Sequence, residues 1–587
     1  MTHYGSPFYT VSQETKEVEI METLQDLVES FPARGNLPAV SWSAETGETV
    51  SPSTDTDSEP GVASLSYQEL YHQIIDYSRG LLALGAESGD RVALFCHNRP
   101  EWIGLSLGIN FASLVDVPRG ENSTAEEIEY ILNHARPRII IVENRWFYDV
   151  VEKSGYAESG LSAAGPLLVT IEDIDGVSDI AAMRELGRKE NRPLPAVPPD
   201  TTASIVYTSG TTADPKGVEL THGNFAGNLR ALVTRIPFSP EDRLLSILPA
   251  WHTFERIAKY LALAMGAETF HTSWRTLKED LKTRKPTIMA SVPRIWEMIH
   301  WTLVKQTQKL GIEIGEPVYA KLKADLGGRF RFAISGGGAL PDHVEDFYTA
   351  AGVEVVEGYG LTETTPVVAA RVPGTPAPYT VGPLLNNVEG KIIDPDTREE
   401  LPPGEEGVLF VKGPNIMKGY YRCLAETRQV LSEDGWLDTG DLAYFAADGN
   451  LSITGRIKEI IVLLNGENIN PLPLEEALKK SDHIAEAVVV GQDWKHLGVL
   501  ILSEPEAGPA VPDVFKREIH RLVNGRGDVK HFERIKGFRL LTDPFQPGRE
   551  LTPTMKLKRT VIEKIYEEVI EDLRREIHGE GTQARSH

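Results

Sequence analysis

Thr208 to Lys216 read TSGTTADPK, four hydroxyls and a glycine leading to one lysine. Hydroxyl and backbone N–H donors gathered around a cation are what a polyphosphate needs to replace its water shell. The spacing of Gly210 and Lys216 suits the common phosphate loop, G-x4-G-K-S/T, but Pro215 stands where the second glycine belongs and Gly217 where the hydroxyl should follow. A hydroxyl for magnesium must then come from earlier in the loop, and Thr208 is best placed. Two more glycine-rich segments follow apolar runs. In Ser335-Gly336-Gly337-Gly338 the glycines let a flat ring approach the backbone. In Glu357-Gly358-Tyr359-Gly360-Leu361-Thr362-Glu363, Tyr359 offers a stacking face, Thr362 a donor for a phosphate oxygen and Glu363 a hard anionic oxygen for magnesium. Asp438 and Asp441, in GWLDTGD, are each suited to accept both hydroxyls of a ribose. Any one of these segments alone would pass as a turn.

In order and content they resemble the adenylate-forming superfamily, which includes acyl-CoA synthetases, adenylation domains and luciferases. Ser204 to Asn224, SIVYTSGTTADPKGVELTHGN, is similar to its phosphate-loop signature, and the likeness covers nearly the whole chain. Pro249 to Arg256 (PAWHTFER), Ser291 to Trp296 (SVPRIW) and Leu551 to Arg559 (LTPTMKLKR) resemble the long-chain fatty acyl-CoA synthetase branch. The resemblance implies that Thr208, Ser209, Gly210, Thr211, Thr212 and Lys216 hold phosphates. Gly336 and Gly337 would meet adenine, and Glu357, Gly358, Tyr359, Gly360 and Thr362 would line the nucleotide. Asp441 would bind ribose, Arg456 would contact ribose and phosphate, and Thr208 and Glu363 would serve Mg2+.

His252 lines the acyl site in that family; on its own, a histidine at a strand end serves packing as readily. Lys556 aligns with the lysine that swings in to bridge carboxylate and α-phosphate. The Ser-Gly that commonly precedes that lysine is absent here, which keeps Lys558 as a second candidate. Lys458 sits at the hinge position, where many members carry Asp. The catalytic assignments are thus Lys556, His252, Thr208 and Glu363.

The elements that must position these residues follow from periodicity. Ser66-Tyr67-Gln68-Glu69 predicts a capping box opening a helix through Leu82. Strands are expected at Arg91–Cys96, Arg138–Glu143, Ile205–Tyr207, Leu244–Leu248 and Phe330–Ile334, with a helix over Glu101–Leu114. Alternation of β and α argues for a parallel, doubly wound α/β sheet, whose ligands belong at the carboxyl ends of strands. Ser43 to Gly61 reads as a loop and Pro193 to Pro199 as a connector. The texture from about 390 to 454 predicts a small β-rich subdomain within an N-terminal domain of residues 1–457. Residues 458–587 read as a mobile α+β lid, since a hinge absorbs the backbone change between two packed bodies.

At 587 residues at least two cores are expected. A formal charge of −25 opposes nonspecific binding to nucleic acid, which rests on neutralising phosphates with Lys and Arg. Two cysteines far apart, Cys96 and Cys423, support neither a disulfide framework nor a metal cluster, and point to a reducing, cytoplasmic compartment. No secretory leader or apolar run of membrane-spanning length is read, although a peripheral membrane contact stays open for an enzyme with a greasy substrate. The expected activity joins a fatty acid to coenzyme A at the expense of ATP. A carrier-protein acceptor and a catalytically silent nucleotide or fatty-acid binder are the alternatives. Chain-length preference and oligomeric state are not legible.

Overall fold

A computed structural model describes residues 18, 20–43, 61–120, 123–156, 166–208, 215–504, 511–546, 548–552 and 555–578. Ser209, Gly210, Thr211 and Thr212 lie outside the described residues, as does most of the expected loop before Gly61. The chain divides into two compact units: residues 1–340, 344–390 and 411–437 form one, and 341–343, 391–410 and 438–587 the other.

The first unit holds two large sheets. One orders its seven strands as Gly419–Tyr420, Lys216–Thr221, Thr202–Thr208, Val115–Arg119, Arg91–Phe95, Ile139–Val142 and Leu167–Thr170. The five strands beginning with Thr202–Thr208 run parallel, whereas the first two are antiparallel additions. Thr202–Thr208 is buried over its five central residues, as β-branched and aromatic TASIVYT favours. Lys216–Thr221 was not anticipated. It pairs back on that strand antiparallel, with Thr208 opposite Lys216, so Lys216 sits on a strand. The expected parallel core of five strands is thus extended by two antiparallel strands at one edge.

The second sheet has eight strands: Val367–Ala370, Glu354–Gly360, Phe332–Ser335, Ile288–Ser291, Arg243–Ser246, Glu268–His271, Pro38–Ser43 and Val62–Ser66. It is parallel within and antiparallel at both edges. Helices cover the sheets. Tyr67–Ala83 opens with the predicted capping box, Ser66 and Glu69 each accepting from the other's backbone N–H. The expected helix from Glu101 spans Pro100–Phe111 and is buried throughout; it stops three residues early because Ser113 takes a left-handed conformation.

The second unit contains most of a four-stranded sheet, Glu389–Ile393, Gly407–Lys412, Leu437–Phe445 and Leu451–Arg456, and a three-stranded one, Ile484–Val490, Leu497–Ser503 and Ile535–Leu541. Helices Leu472–Lys479, Pro512–Ile519 and Glu567–His578 accompany the latter. Among the described residues no helix is long and apolar enough to cross a membrane.

Candidate active site

In the first unit, the phosphate-loop strand is set by a buried guanidinium. Arg256 and Asp116 are both fully buried; Arg256 Nη2 donates to Asp116 Oδ2 (2.5 Å) and Nη1 to Asp116 Oδ1 (3.1 Å). Arg256 also reaches Ser204 Oγ (2.9 Å), Ser106 Oγ (3.1 Å), Asn110 Oδ1 (3.0 Å) and Tyr260 Oη (2.7 Å). A charge removed from water is tolerable only when its donors are met in this way. The effect is to lock strand Thr202–Thr208 to its neighbour and to two helices, so that Thr208 emerges at a fixed point. Arg119, also buried, donates to the carbonyl of Tyr207 (3.1 Å) and lies 4.7 Å from the Trp251 ring, which ties the end of that strand to the segment bearing His252.

His252 is not a strand-end residue. It is the N-cap of helix Thr253–Ala264, its Nδ1 accepting from the Phe254 N–H at 3.4 Å, and it is half-buried. A Cβ built on Gly336 would stand 3.2 Å from the Phe254 ring, so this glycine lies in tight contact with the helix that His252 opens. Gly337 adopts φ +84°, the left-handed region that favours glycine. The His252 segment and the expected adenine loop are thereby adjacent.

Glu354–Gly360 continues as a strand through Gly358, Tyr359 and Gly360, where the sequence predicts a turn. Gly360 is explained by the backbone beside it: a Cβ there would sit 1.7 Å from the Pro366 carbonyl oxygen. The turn comes later, at Thr362–Thr364. Gly358 to Glu363 are all half-buried, hence reachable by a ligand. Glu357 is buried, and its carboxylate takes Arg371 Nη2 (2.9 Å) and the Leu340 N–H (3.1 Å), Arg371 also gripping Glu345 at 2.8 Å. That ion triad fixes the strand on which Tyr359 stands.

Glu363 is the meeting point. Tyr420, on the edge strand beside Lys216–Thr221, donates its hydroxyl to Glu363 Oε1 at 2.9 Å, and Lys216 Nζ lies 4.9 Å from the centre of the same ring. Burial raises the Tyr420 pKa, and the Glu363 carboxylate raises it further, so the hydroxyl keeps its proton as a donor. Thr208 Oγ1 reaches the Lys216 carbonyl at 3.5 Å. Thr208, Lys216, Tyr420 and Glu363 thus form one contiguous set. It is pinned from behind by helix His222–Leu232: Asn224 donates to the carbonyls of Pro414 and Ile416 (2.8 Å each), and Asn228, one turn on, donates to Val367 O (2.7 Å). Tyr420, Arg119 and Asn228 escape a motif reading; Asn224 closes the quoted signature, and the Thr221–Asn224 capping spacing is the local signal that points to this helix.

Among the described residues no group of three or more His, Cys, Asp or Glu is placed to hold a metal ion. One carboxylate and one hydroxyl instead suit magnesium, which binds through one or two protein oxygens, waters and substrate phosphates. The donor set fits.

In the second unit, Asp441 lies inside strand Leu437–Phe445 rather than in a glycine turn, cross-strand to Arg456. Arg456 Nε donates to Asp441 Oδ1 at 2.6 Å; Asp441 is buried, while the Arg456 side chain is 47% exposed. Asp438, the competing candidate, accepts from its neighbour Gly440 N–H (2.9 Å). Lys458 is exposed, in the short turn Ile457–Glu459. Desolvation lowers the pKa of Lys556; Arg456 acts in the same direction, and Asp441 and Glu459 oppose it. The residue as a whole is exposed. Lys558 Nζ, by contrast, donates to the Gly548 carbonyl at 3.2 Å.

Hydroxyls, a lysine and a carboxylate in the first unit, and an aspartate–arginine pair in the second, are the kinds of group a nucleotide-activating enzyme uses. The AMP-binding enzyme family matches residues 46–421, and its C-terminal domain matches 458–577. The chain belongs to this family, within the adenylate-forming superfamily. A chloroplastic long-chain-fatty-acid–[acyl-carrier-protein] ligase of Arabidopsis thaliana is 32% identical over 87% of this chain and 82% of its own length. A long-chain-fatty-acid–CoA ligase of Mycobacterium bovis is 32% identical over 86% and 91%. In fold, the adenylation domain of a Mycobacterium chelonae carboxylate reductase superposes with TM-score 0.80 over 96% of this chain and 93% of that one, at 22% identity. The chain groups with the long-chain fatty acyl ligases, enzymes that join acids to thiols.

Proposed function

We propose that the protein is an ATP-dependent long-chain fatty acyl-CoA synthetase. The single observation that carries the reading is the contact set Thr208–Lys216–Tyr420–Glu363, which gathers phosphate donors and a magnesium-type carboxylate from three separate stretches of chain. In the first half-reaction a fatty carboxylate oxygen attacks the α-phosphorus of ATP. The new O–P bond forms as the α–β phosphoanhydride breaks, leaving acyl-AMP and pyrophosphate. Thr208, Ser209, Gly210, Thr211, Thr212 and Lys216 hold the departing phosphates. Gly336, Gly337, Glu357, Gly358, Tyr359, Gly360 and Thr362 line the base and phosphate side, with Asp441 and Arg456 on the ribose. Magnesium, held by Thr208 and Glu363 with the phosphates, supplies charge neutralisation when bound.

Lys556 and His252 face the reacting carboxylate, and their role is positioning and charge stabilisation. In the second half-reaction the thiol of coenzyme A gives up its proton and its sulfur attacks the acyl carbon; the C–S bond forms, the acyl C–O bond of the mixed anhydride breaks, and AMP leaves. We assign the exchange between the halves to rotation of residues 458–587 about Lys458 relative to 1–457, which withdraws Lys556. The protein works in the cytoplasm on this reading, with a peripheral membrane contact suited to its substrate.

A second reading keeps the adenylation and changes the acceptor to an acyl carrier protein, the thiol named for the Arabidopsis relative. AMP release is measured with palmitate and either coenzyme A or acyl carrier protein. Coenzyme A-dependent release supports the first reading, and release with the carrier alone supports the second. Absence of palmitate-dependent ATP–pyrophosphate exchange contradicts both and leaves a silent binder.

A further inference from the structure

We infer that Tyr420 is a positioning residue that couples the phosphate-loop lysine to the metal-binding carboxylate, a role that rests on the functional reading above. Its hydroxyl occupies Glu363 Oε1 at 2.9 Å, and its ring carries Lys216 Nζ at 4.9 Å. The carboxylate is thereby held at one oxygen, which fixes the orientation its other oxygen presents to a cation. The backbone around the tyrosine is equally constrained. The Tyr421 N–H donates to Gly217 O (2.8 Å), Lys418 N–H to Glu219 O (2.9 Å) and Met417 N–H to the carbonyl of Glu363 itself (2.8 Å). Tyr420 therefore cannot drift relative to either partner, and a short edge strand registers Gly419 and Tyr420 against Glu219 and Val218. The cation that meets the phosphates and the anion that meets the metal share one aromatic side chain. Binding at one end is felt at the other.

Two variants separate the two contacts. Tyr420→Phe removes the hydroxyl and keeps the ring; Tyr420→Leu removes both. The readout is calorimetric binding of ATP to the full chain, with and without Mg2+. Wild-type protein is expected to bind ATP more tightly with the metal. Tyr420→Phe is expected to lose about three- to tenfold of that gain, the net worth of one hydrogen bond, while metal-free ATP binding changes less than about twofold. Tyr420→Leu is expected to weaken metal-free binding as well, by about two- to fivefold, because Lys216 loses its ring face.

Glu363→Gln supplies a double-mutant cycle. If the hydroxyl acts through the carboxylate, Tyr420→Phe adds nothing once Glu363 is changed, whereas a general packing role would add independently. A Tyr420→Phe protein with the full wild-type metal gain, or effects that simply add to those of Glu363→Gln, overturns the positioning role alone. Wild-type protein that binds no Mg·ATP overturns the functional reading and this role together.

Discussion

Two arginine–aspartate pairs in this molecule have the same chemistry and opposite surroundings. Arg256 and Asp116 are wholly buried, and the guanidinium ends on five protein side chains. Arg456 joins Asp441 across two antiparallel strands, yet keeps 47% of its side chain in solvent. The buried pair is saturated and can only hold the fold. The other presents its arginine to solvent, where a nucleotide can meet it, and stands beside a lysine whose charge is already disfavoured by desolvation and by Arg456. Saturation and exposure, more than the identity of the pair, separate framework from site.

The largest effect should come from the saturated pair. Arg256→Ala strands the Asp116 carboxylate in the interior and is expected to lower stability by about 3–5 kcal/mol. Urea unfolding checks this, and a loss under about 1 kcal/mol would erase the contrast. Arg456→Lys, which keeps a cation beside the buried Asp441, should leave the unfolding midpoint nearly unchanged while raising KM for ATP about tenfold, near 1.4 kcal/mol. A clear drop in stability without a change in KM would make Arg456 framework too.

The smallest effect concerns pH. His222 is buried with neither ring nitrogen partnered, and burial, helped by the nearby Arg256 charge, pushes its pKa from 6.5 down to about 3. The unfolded chain therefore holds that proton more tightly than the folded one. Stability from this group is intact above pH 6.5 and falls as pH drops from there toward 3, by about 1 kcal/mol at pH 6. In His222→Gln the slope of stability against pH over that window should lose one proton; an unchanged slope would show that the interior tolerates the charge.

Much of this was legible in the sequence because it is local. The Ser66–Glu69 capping box, the apolar run of strand Thr202–Thr208 and the buried helix after Arg99 depend on neighbours a few residues away. The glycines of Gly358–Gly360 were noticed for a ligand's sake, but the backbone of Pro366 demands Gly360 on steric grounds. The antiparallel return at Lys216–Thr221 was missed because its partner lies across the loop. Tyr420 meets a carboxylate 57 residues earlier, and Asn228 a carbonyl 139 residues later, so neither leaves a pattern in a short window. Arg256 was read as a branch marker only, since a fully satisfied interior charge looks like any other arginine until the fold closes around it.

The central claim is that one ATP-activating site performs two chemically distinct halves, with Lys556 needed only in the first. Palmitate-dependent ATP–pyrophosphate exchange and the conversion of supplied palmitoyl-AMP to palmitoyl-CoA should be measured side by side for wild type and Lys556→Ala. The account predicts that exchange falls about 10²–10³-fold, as for loss of a charge-stabilising donor, while thioester formation stays within about threefold. Equal losses in both halves, or exchange that survives the substitution, would contradict it.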